Sequence, residues 1–168
     1  MTGGNQQDIL VAAIGNPDRG DDGVGPAIAA RLRGKVSKGV RILLTGGDVL
    51  ALIDEWDAFQ KVIVIDAAAP LDRPGRIHRL DIGNGPLSGH FARSSSHAFG
   101  LGELVELARN LGRLPCRLVA YLVEGERFDI GAPLSPAVAE AVDTVTQRVI
   151  DELLMMRGHN GKRGAQHA

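Results

Sequence analysis

Apolar runs alternate with amphipathic stretches along most of the chain. The short, continuously apolar runs are typical of strands buried on both faces, whereas the segments between them repeat apolar residues every three or four positions, as helices with one buried face do. A polar first residue followed by proline also predicts the start of the last helix. The predicted strands are 9–14, 40–44, 62–65 and 117–123, and the predicted helices are 24–33, 48–59, 98–111 and 135–156.

A fifth strand is predicted at residues 76–80, where Ile77 and His78 alternate as they would on a half-exposed edge. Its short connection to the preceding strand favours a hairpin, so we expect this strand to be antiparallel and at the sheet margin. Buried parallel strands separated by helices predict a three-layer α/β/α sandwich. We therefore expect a mostly parallel, twisted sheet of about five strands with helices on both faces.

Length and composition limit the kind of protein this can be. The 168 residues are enough for one domain, which we place at residues 1–156, with 157–168 as a flexible C-terminal tail. A net charge of −1 gives no reason to expect nucleic acid binding. The sequence has no long apolar run and a polar N-terminus, so we expect a soluble, unexported protein with no membrane partner.

The single cysteine, Cys116, excludes an internal disulfide and a thiolate zinc cluster. It begins a predicted strand, far from the carboxyl ends of the other strands, so we expect a small core residue rather than a nucleophile. The sequence also lacks a His-Glu-x-x-His helix and a Gly-x-Ser-x-Gly turn. Zincin and serine-hydrolase chemistry are therefore not expected.

The loop between the first strand and the first helix, residues 15–25, is glycine-rich but acidic. In dinucleotide and P-loop sites the same position binds phosphate through backbone N–H groups. Here Asp18, Asp21 and Asp22 stand where the anion would lie. Only Arg19 offsets their charge, and the glycine spacing matches neither phosphate motif. The loop is therefore better suited to a cation, or to placing a carboxylate in a cleft.

Three side chains with metal-binding chemistry are predicted to meet at one edge of the sheet. Asp22 follows the first strand, Asp66 ends the third, and His97 closes a long polar loop, 81–96, that leads into a helix. Ligands of parallel sheets bind beyond the carboxyl ends of the strands, so all three can reach one rim. Two carboxylates and one imidazole form an O,O,N site for a divalent transition ion with open positions.

Each of these residues also has a plainer interpretation. Asp21 or Asp22 can simply cap the first helix, and His97 beside three serines can be a solvated loop residue. Asp66 is harder to explain in this way, because a carboxylate at the end of a buried strand is costly unless something pairs with it. The combination, more than any single residue, favours a site.

Four segments, in order and with similar spacing, resemble the hydrogenase maturation endopeptidase family. The resemblance extends over about 9–154, and its segments are residues 15–25, the strand end 65–67, the Ser-His-Ala-Phe-Gly-Leu stretch 96–101 and the helix start 134–136. One departure is Asp18, a position that is usually apolar in this family; its charge could alter loop packing or metal preference.

The resemblance implies an endopeptidase that removes the C-terminal extension of a nickel-iron hydrogenase large-subunit precursor after nickel insertion. It implies that Asp22, Asp66 and His97 contact the metal, with Asp21 in support, and that the enzyme is cytoplasmic. The metal would be nickel presented by the substrate, with another divalent ion as the alternative. Nickel docking on these residues would license cleavage, and Asp22 or Asp66 is also a candidate general base. Rim segments 46–47 and 124–126 are candidates for substrate contact.

Two other functions remain open at this point. A non-cleaving maturation factor that binds nickel or the hydrogenase subunit would keep the same three residues. A nucleotide-binding regulatory domain is compatible with the predicted fold, because fold alone does not determine function. The acidic loop argues against the second of these.

Overall fold

In the computed structural model, which describes residues 8–83 and 100–158, a five-stranded sheet runs through the middle of the described part. Its strand order is β2-β1-β3-β5-β4, and every neighbouring pair is parallel except β4 with β5. This confirms the mostly parallel sheet of about five strands. The strands are β1 (Ile9–Ile14), β2 (Val40–Thr45), β3 (Lys61–Ala68), β4 (Ile77–Ile82) and β5 (Arg117–Glu124).

Helices cover both faces of the sheet, and each face has its own apolar core. Side chains of α1 and α4 pack on one face, and side chains of α2 and α3 pack on the other. The three-layer α/β/α prediction is therefore confirmed. The described helices are α1 (Val24–Leu32), α2 (Ala51–Trp56), α3 (Leu101–Asn110) and α4 (Pro136–Gly158), and a 3-10 turn (Gly20–Gly23) leads directly into α1.

The predicted hairpin between the third and fourth strands is wrong. β4 does not pair with β3; its Leu80 lies opposite Ala120 of β5, which is parallel to β3 on its other side. The reason is burial: β5 is buried from Leu118 onwards and belongs inside the sheet, whereas β4 has exposed positions that suit an edge. The antiparallel edge position itself is confirmed.

Two smaller expectations also need correction. The helix predicted at 48–59 covers only 51–56, because Asp48 forms a turn ahead of it by accepting the N–H of Ala51 at 3.1 Å, and a second turn follows Trp56. Cys116 is exposed rather than part of the core, because it lies just before β5 begins.

At the C-terminus, α4 continues to residue 158, two residues beyond the end predicted for the last helix, and the flexible tail stays a prediction. Residues 159–168 of that tail lie outside the described residues, as do residues 98–99 of the predicted third long helix. In the portions that are described, no helix combines the length and the apolar character needed to cross a membrane.

Candidate functional site

The candidate site lies at the carboxyl ends of β1 and β3. These two strands are parallel neighbours, with Ala13 opposite Ile65, so the segments that follow them emerge at the same edge. Asp22 lies in the 3-10 turn after β1, and Asp66 lies on β3. Both carboxylates are only 1% exposed. Asp66 does not end its strand as predicted, because β3 continues for two more residues to Ala68.

Close packing of α1 on the sheet places Asp22 near the end of β3. A Cβ atom on Gly25 would lie 2.4 Å from the carbonyl oxygen of Ile14 and 3.2 Å from that of Ile65. Only glycine permits this approach of helix backbone to strand backbone. The start of α1 is therefore seated over the ends of both strands, and the preceding turn, which contains Asp22, contacts β3.

Local contacts orient both carboxylates. The N–H of Asn16 donates to Oδ2 of Asp22 at 2.9 Å, and the Arg19 guanidinium lies 4.0 Å from the same oxygen. Oδ1 of Asp66 accepts the N–H of Ala67 at 2.8 Å. By strand alternation, the Asp66 side chain is on the face of Val64, which packs in the layer of α2 and α3.

His97, the third predicted ligand, lies outside the described residues, as do the serines before it. Within residues 8–83 and 100–158, no three His, Cys, Asp or Glu side chains form a group that could hold a metal ion. The structure thus places Asp22 and Asp66 at one edge and leaves the imidazole as a prediction. The two buried carboxylates are oxygen donors of the kind that the predicted O,O,N set needs, and metal binding at them stays a prediction.

Asp21 is completely buried and joins the acidic loop to the segment before α4. Its Oδ2 accepts the N–H groups of Glu126 at 2.7 Å and Arg127 at 3.0 Å. Its Oδ1 accepts the N–H of Ser135 at 2.7 Å, and the Ser135 hydroxyl donates to Oδ2 at 2.9 Å. Burial alone would raise the pKa of Asp21, but these four donors outweigh it and lower that pKa. Asp21 is therefore an ionised structural anchor beside Asp22.

Glu124, in one of the rim segments singled out from the sequence, has a similar anchoring role. It is 1% exposed and accepts the N–H groups of Asp72 and Arg73 at 2.9 and 2.8 Å, and its Oε1 lies 2.5 Å from Nε2 of His78. Burial opposes ionisation, but these bonds lower its pKa. The carboxylate thus fixes the β3–β4 loop at the same edge of the sheet. The other rim segment, Gly46 and Gly47, is not crowded: a Cβ atom added to either glycine would have no neighbouring atom within 4 Å.

A polar cluster that the sequence did not predict lies between β4, β5 and α4, on the face of the sheet that α4 covers. Arg79 donates from Nε and Nη2 to Glu152 at 2.7 and 3.0 Å, and the Tyr121 hydroxyl donates to the same carboxylate at 2.9 Å. The bond to Arg79 lowers the pKa of Glu152, while burial and Glu152 raise the pKa of Tyr121 to about 12. A glutamate three residues after Val149, on the apolar stripe of its helix, is the signal that could have revealed it.

Comparison with known proteins gives one consistent family. A family model described as "Hydrogenase maturation protease" matches residues 26–152. The hydrogenase expression/formation protein HupD of Bradyrhizobium diazoefficiens is 31% identical over 80% of this chain and 71% of its own length. HupD of Thiocapsa roseopersicina is 30% identical over 87% of this chain and 67% of its own length.

Solved structures agree in fold. The hydrogenase maturating endopeptidase HybD from E. coli aligns with a TM-score of 0.76 and 23% identity, over 89% of this chain and 93% of that chain. The hydrogenase 2 maturation peptidase from Thaumarchaeota archaeon SCGC_AB-539-E09 aligns with a TM-score of 0.66 and 26% identity, over 87% of this chain and 97% of that chain.

Proposed function

Because the chain belongs to the hydrogenase maturation protease family, and is a hydrolase of the endopeptidase type, we propose that it processes a nickel-iron hydrogenase large-subunit precursor. The reaction is removal of the C-terminal extension after nickel has been inserted. Nickel belongs to the substrate in this proposal, and the protein recognises it. The proposed partner is the precursor itself.

The observation that carries the site proposal is the pair of buried carboxylates at one edge of the sheet. Asp22 is in the turn that follows β1, Asp66 is on β3, the parallel neighbour of β1, and each is 1% exposed. Burial of an ionised carboxylate is costly, and two that follow neighbouring parallel strands at the ligand-binding edge of the sheet support a role with a cation or in the reaction. His97 is proposed as the third ligand, completing an O,O,N set with room for donors from the substrate.

Two roles are proposed for the carboxylates. The main one is to contact the substrate's nickel, so that only a loaded precursor is held with its scissile bond at the rim. The second is general-base catalysis, in which Asp22 or Asp66 accepts a proton from the water that attacks the scissile carbonyl.

The variant Asp66→Asn tests the site. It keeps the size of the side chain and an oxygen that can accept the Ala67 N–H, so the fold is expected to survive. Asp81→Asn is the matched control, because Asp81 is also a strand carboxylate but is 47% exposed and lies near the amino-terminal end of β5. We expect Asp66→Asn to lose processing of the nickel-loaded precursor, followed by intact mass, and Asp81→Asn to retain it. Full processing by Asp66→Asn would refute the assignment.

A further inference from the structure

The segment that joins β5 to α4, residues 125–135, is held firmly against the acidic loop; we call it the clamped loop. Besides the four hydrogen bonds to the Asp21 carboxylate, three backbone hydrogen bonds connect the two loops. Asp21 N–H donates to Arg127 O at 2.8 Å, Gly20 N–H donates to Ala132 O at 3.0 Å, and Gly131 N–H donates to Asp18 O at 2.7 Å. The clamped loop is therefore fixed near both of its ends.

Side-chain and backbone packing support the same attachment. Gly20 has a φ of +53°, and a Cβ atom there would lie 2.5 Å from the carbonyl oxygen of Arg127, so the two backbones touch where only glycine fits. The Arg19 guanidinium carbon lies 5.7 Å from the centre of the Phe128 ring. Arg19 also faces Asp22. Anything bound at Asp22 therefore lies beside the clamped loop.

Ile130, next to the anchored Gly131, is 88% exposed. A single exposed apolar residue is ordinary on a protein surface. Here, however, Leu50 and Leu71 are also 47% and 45% exposed, and they follow β2 and β3 at the same edge of the sheet. Three loops around the buried carboxylates thus each present one large apolar side chain to solvent.

We propose that the clamped loop is a docking surface for the folded large-subunit precursor, with Ile130 as its main apolar contact. The inference rests on the proposed function and adds the surface of this protein that contacts the folded part of the substrate. A rigid projecting side chain binds at little entropic cost, because its loop is already ordered before the partner arrives. A side chain that projects from an ordered loop suits insertion into a depression on a folded protein, whereas an extended peptide binds in a groove or along a strand edge.

The inference is tested with Ile130→Ser, Ile130→Glu and a matched control, Leu111→Ser. Leu111 is 54% exposed but follows α3 towards the amino-terminal end of the sheet. The Ile130 side chain is largely in solvent, so its replacement is expected to leave thermal stability unchanged. In steady-state processing of nickel-loaded precursor, we expect Ile130→Ser to raise KM about tenfold with kcat unchanged, as for an interface hot spot. Ile130→Glu should raise KM further, and Leu111→Ser should match the wild type.

The outcomes separate this inference from the proposed function. If the wild type processes the precursor and Ile130→Ser has an unchanged KM, the docking inference is overturned while the function stands. If the wild type neither binds nor processes the precursor, both are overturned. If sedimentation shows a wild-type dimer that Ile130→Glu dissociates, with no change in KM, the loop instead contacts a second copy of this chain, which also overturns the inference.

Discussion

Replacing Asp21 with asparagine should destabilise the protein through the clamped loop. In the native structure Oδ2 accepts three donors and Oδ1 accepts the N–H of Ser135. An asparagine can keep its oxygen at the Oδ2 position, but its NH₂ group then faces the Ser135 N–H, donor against donor. One buried N–H loses its acceptor, and the remaining bonds lose their charge.

The size of the effect follows from these losses. A buried donor left unsatisfied costs about 1–3 kcal/mol, and a hydrogen bond to a charged group is worth roughly 1 kcal/mol more than a neutral one. Partial relaxation and water entry reduce the sum, so we expect Asp21→Asn to lower the free energy of unfolding by about 3 kcal/mol. For a chain of this length, that corresponds to a fall in Tm of roughly 6–12 °C.

The pH dependence gives an independent check. The hydrogen bonds lower the pKa of Asp21 in the folded state. Its ionised form therefore contributes stability above the unfolded pKa of about 4, and that contribution is lost as the pH falls through the folded pKa. The stability difference between the wild type and Asp21→Asn should be constant near neutral pH and should shrink as the pH is lowered below about 4.

Urea unfolding at several pH values, followed by circular dichroism, measures both effects. Asp143→Asn is the control, because Asp143 is a largely exposed carboxylate whose contact with Arg31 is on the surface. It is expected to change stability by less than about 1 kcal/mol. A wild-type-like midpoint for Asp21→Asn, or a stability difference that grows on acidification, would refute the reasoning about the Asp21 anchor.

Three further results are expected. Gly25→Ala should lower the free energy of unfolding by about 1–3 kcal/mol or more, because the added Cβ atom would lie 2.4 Å from the carbonyl oxygen of Ile14. Gly46→Ala is the control: its Cβ atom would have no neighbour within 4 Å, so thermal denaturation should be nearly unchanged. Arg79→Ala should cost about 1–3 kcal/mol in urea unfolding, because the buried Glu152 loses its bidentate partner and keeps only Tyr121 and the more distant Arg117. Loss of the exposed Arg31–Asp143 pair should cost less than about 1 kcal/mol. Arg19→Ala should tighten nickel binding measured by calorimetry by a few-fold, because a competing cation 4.0 Å from Asp22 is removed; weaker binding would contradict this.

The sheet could be predicted from the sequence because its strands carry their own signal. A run such as 9–14 is apolar at every position, and the structure gives β1 those same limits. Which strand pairs with β4 could not be predicted in the same way. The choice depends on β5, which comes later in the chain and is the more deeply buried strand.

The candidate site was predictable only in part. Asp22 and Asp66 follow from the rule that parallel strands present ligands at their carboxyl ends, and the structure places both at that edge. The anchoring role of Asp21 could not be read from local sequence, because its partners are 105 to 114 residues away. The same holds for Glu124, whose partners on the β3–β4 loop and on β4 are 46 to 52 residues away.

The anchors also separate two kinds of buried carboxylate at this edge. Asp21 and Glu124 each accept several donors from neighbouring loops, and both have a lowered pKa that fits a permanent structural anion. Asp22 and Asp66 accept backbone N–H groups of nearby residues in their own segments. In the proposed function, the first pair fixes the loops and the second pair meets the substrate.

The central claim is that this protein cleaves a precursor whose metal it has recognised. The most direct measurement mixes the purified protein with nickel-loaded and with nickel-free large-subunit precursor and follows loss of the C-terminal peptide by intact mass. The account predicts cleavage of the loaded form alone. Equal cleavage of both forms would contradict nickel recognition, and binding of the loaded form without cleavage would show a maturation factor that holds the subunit instead of cutting it.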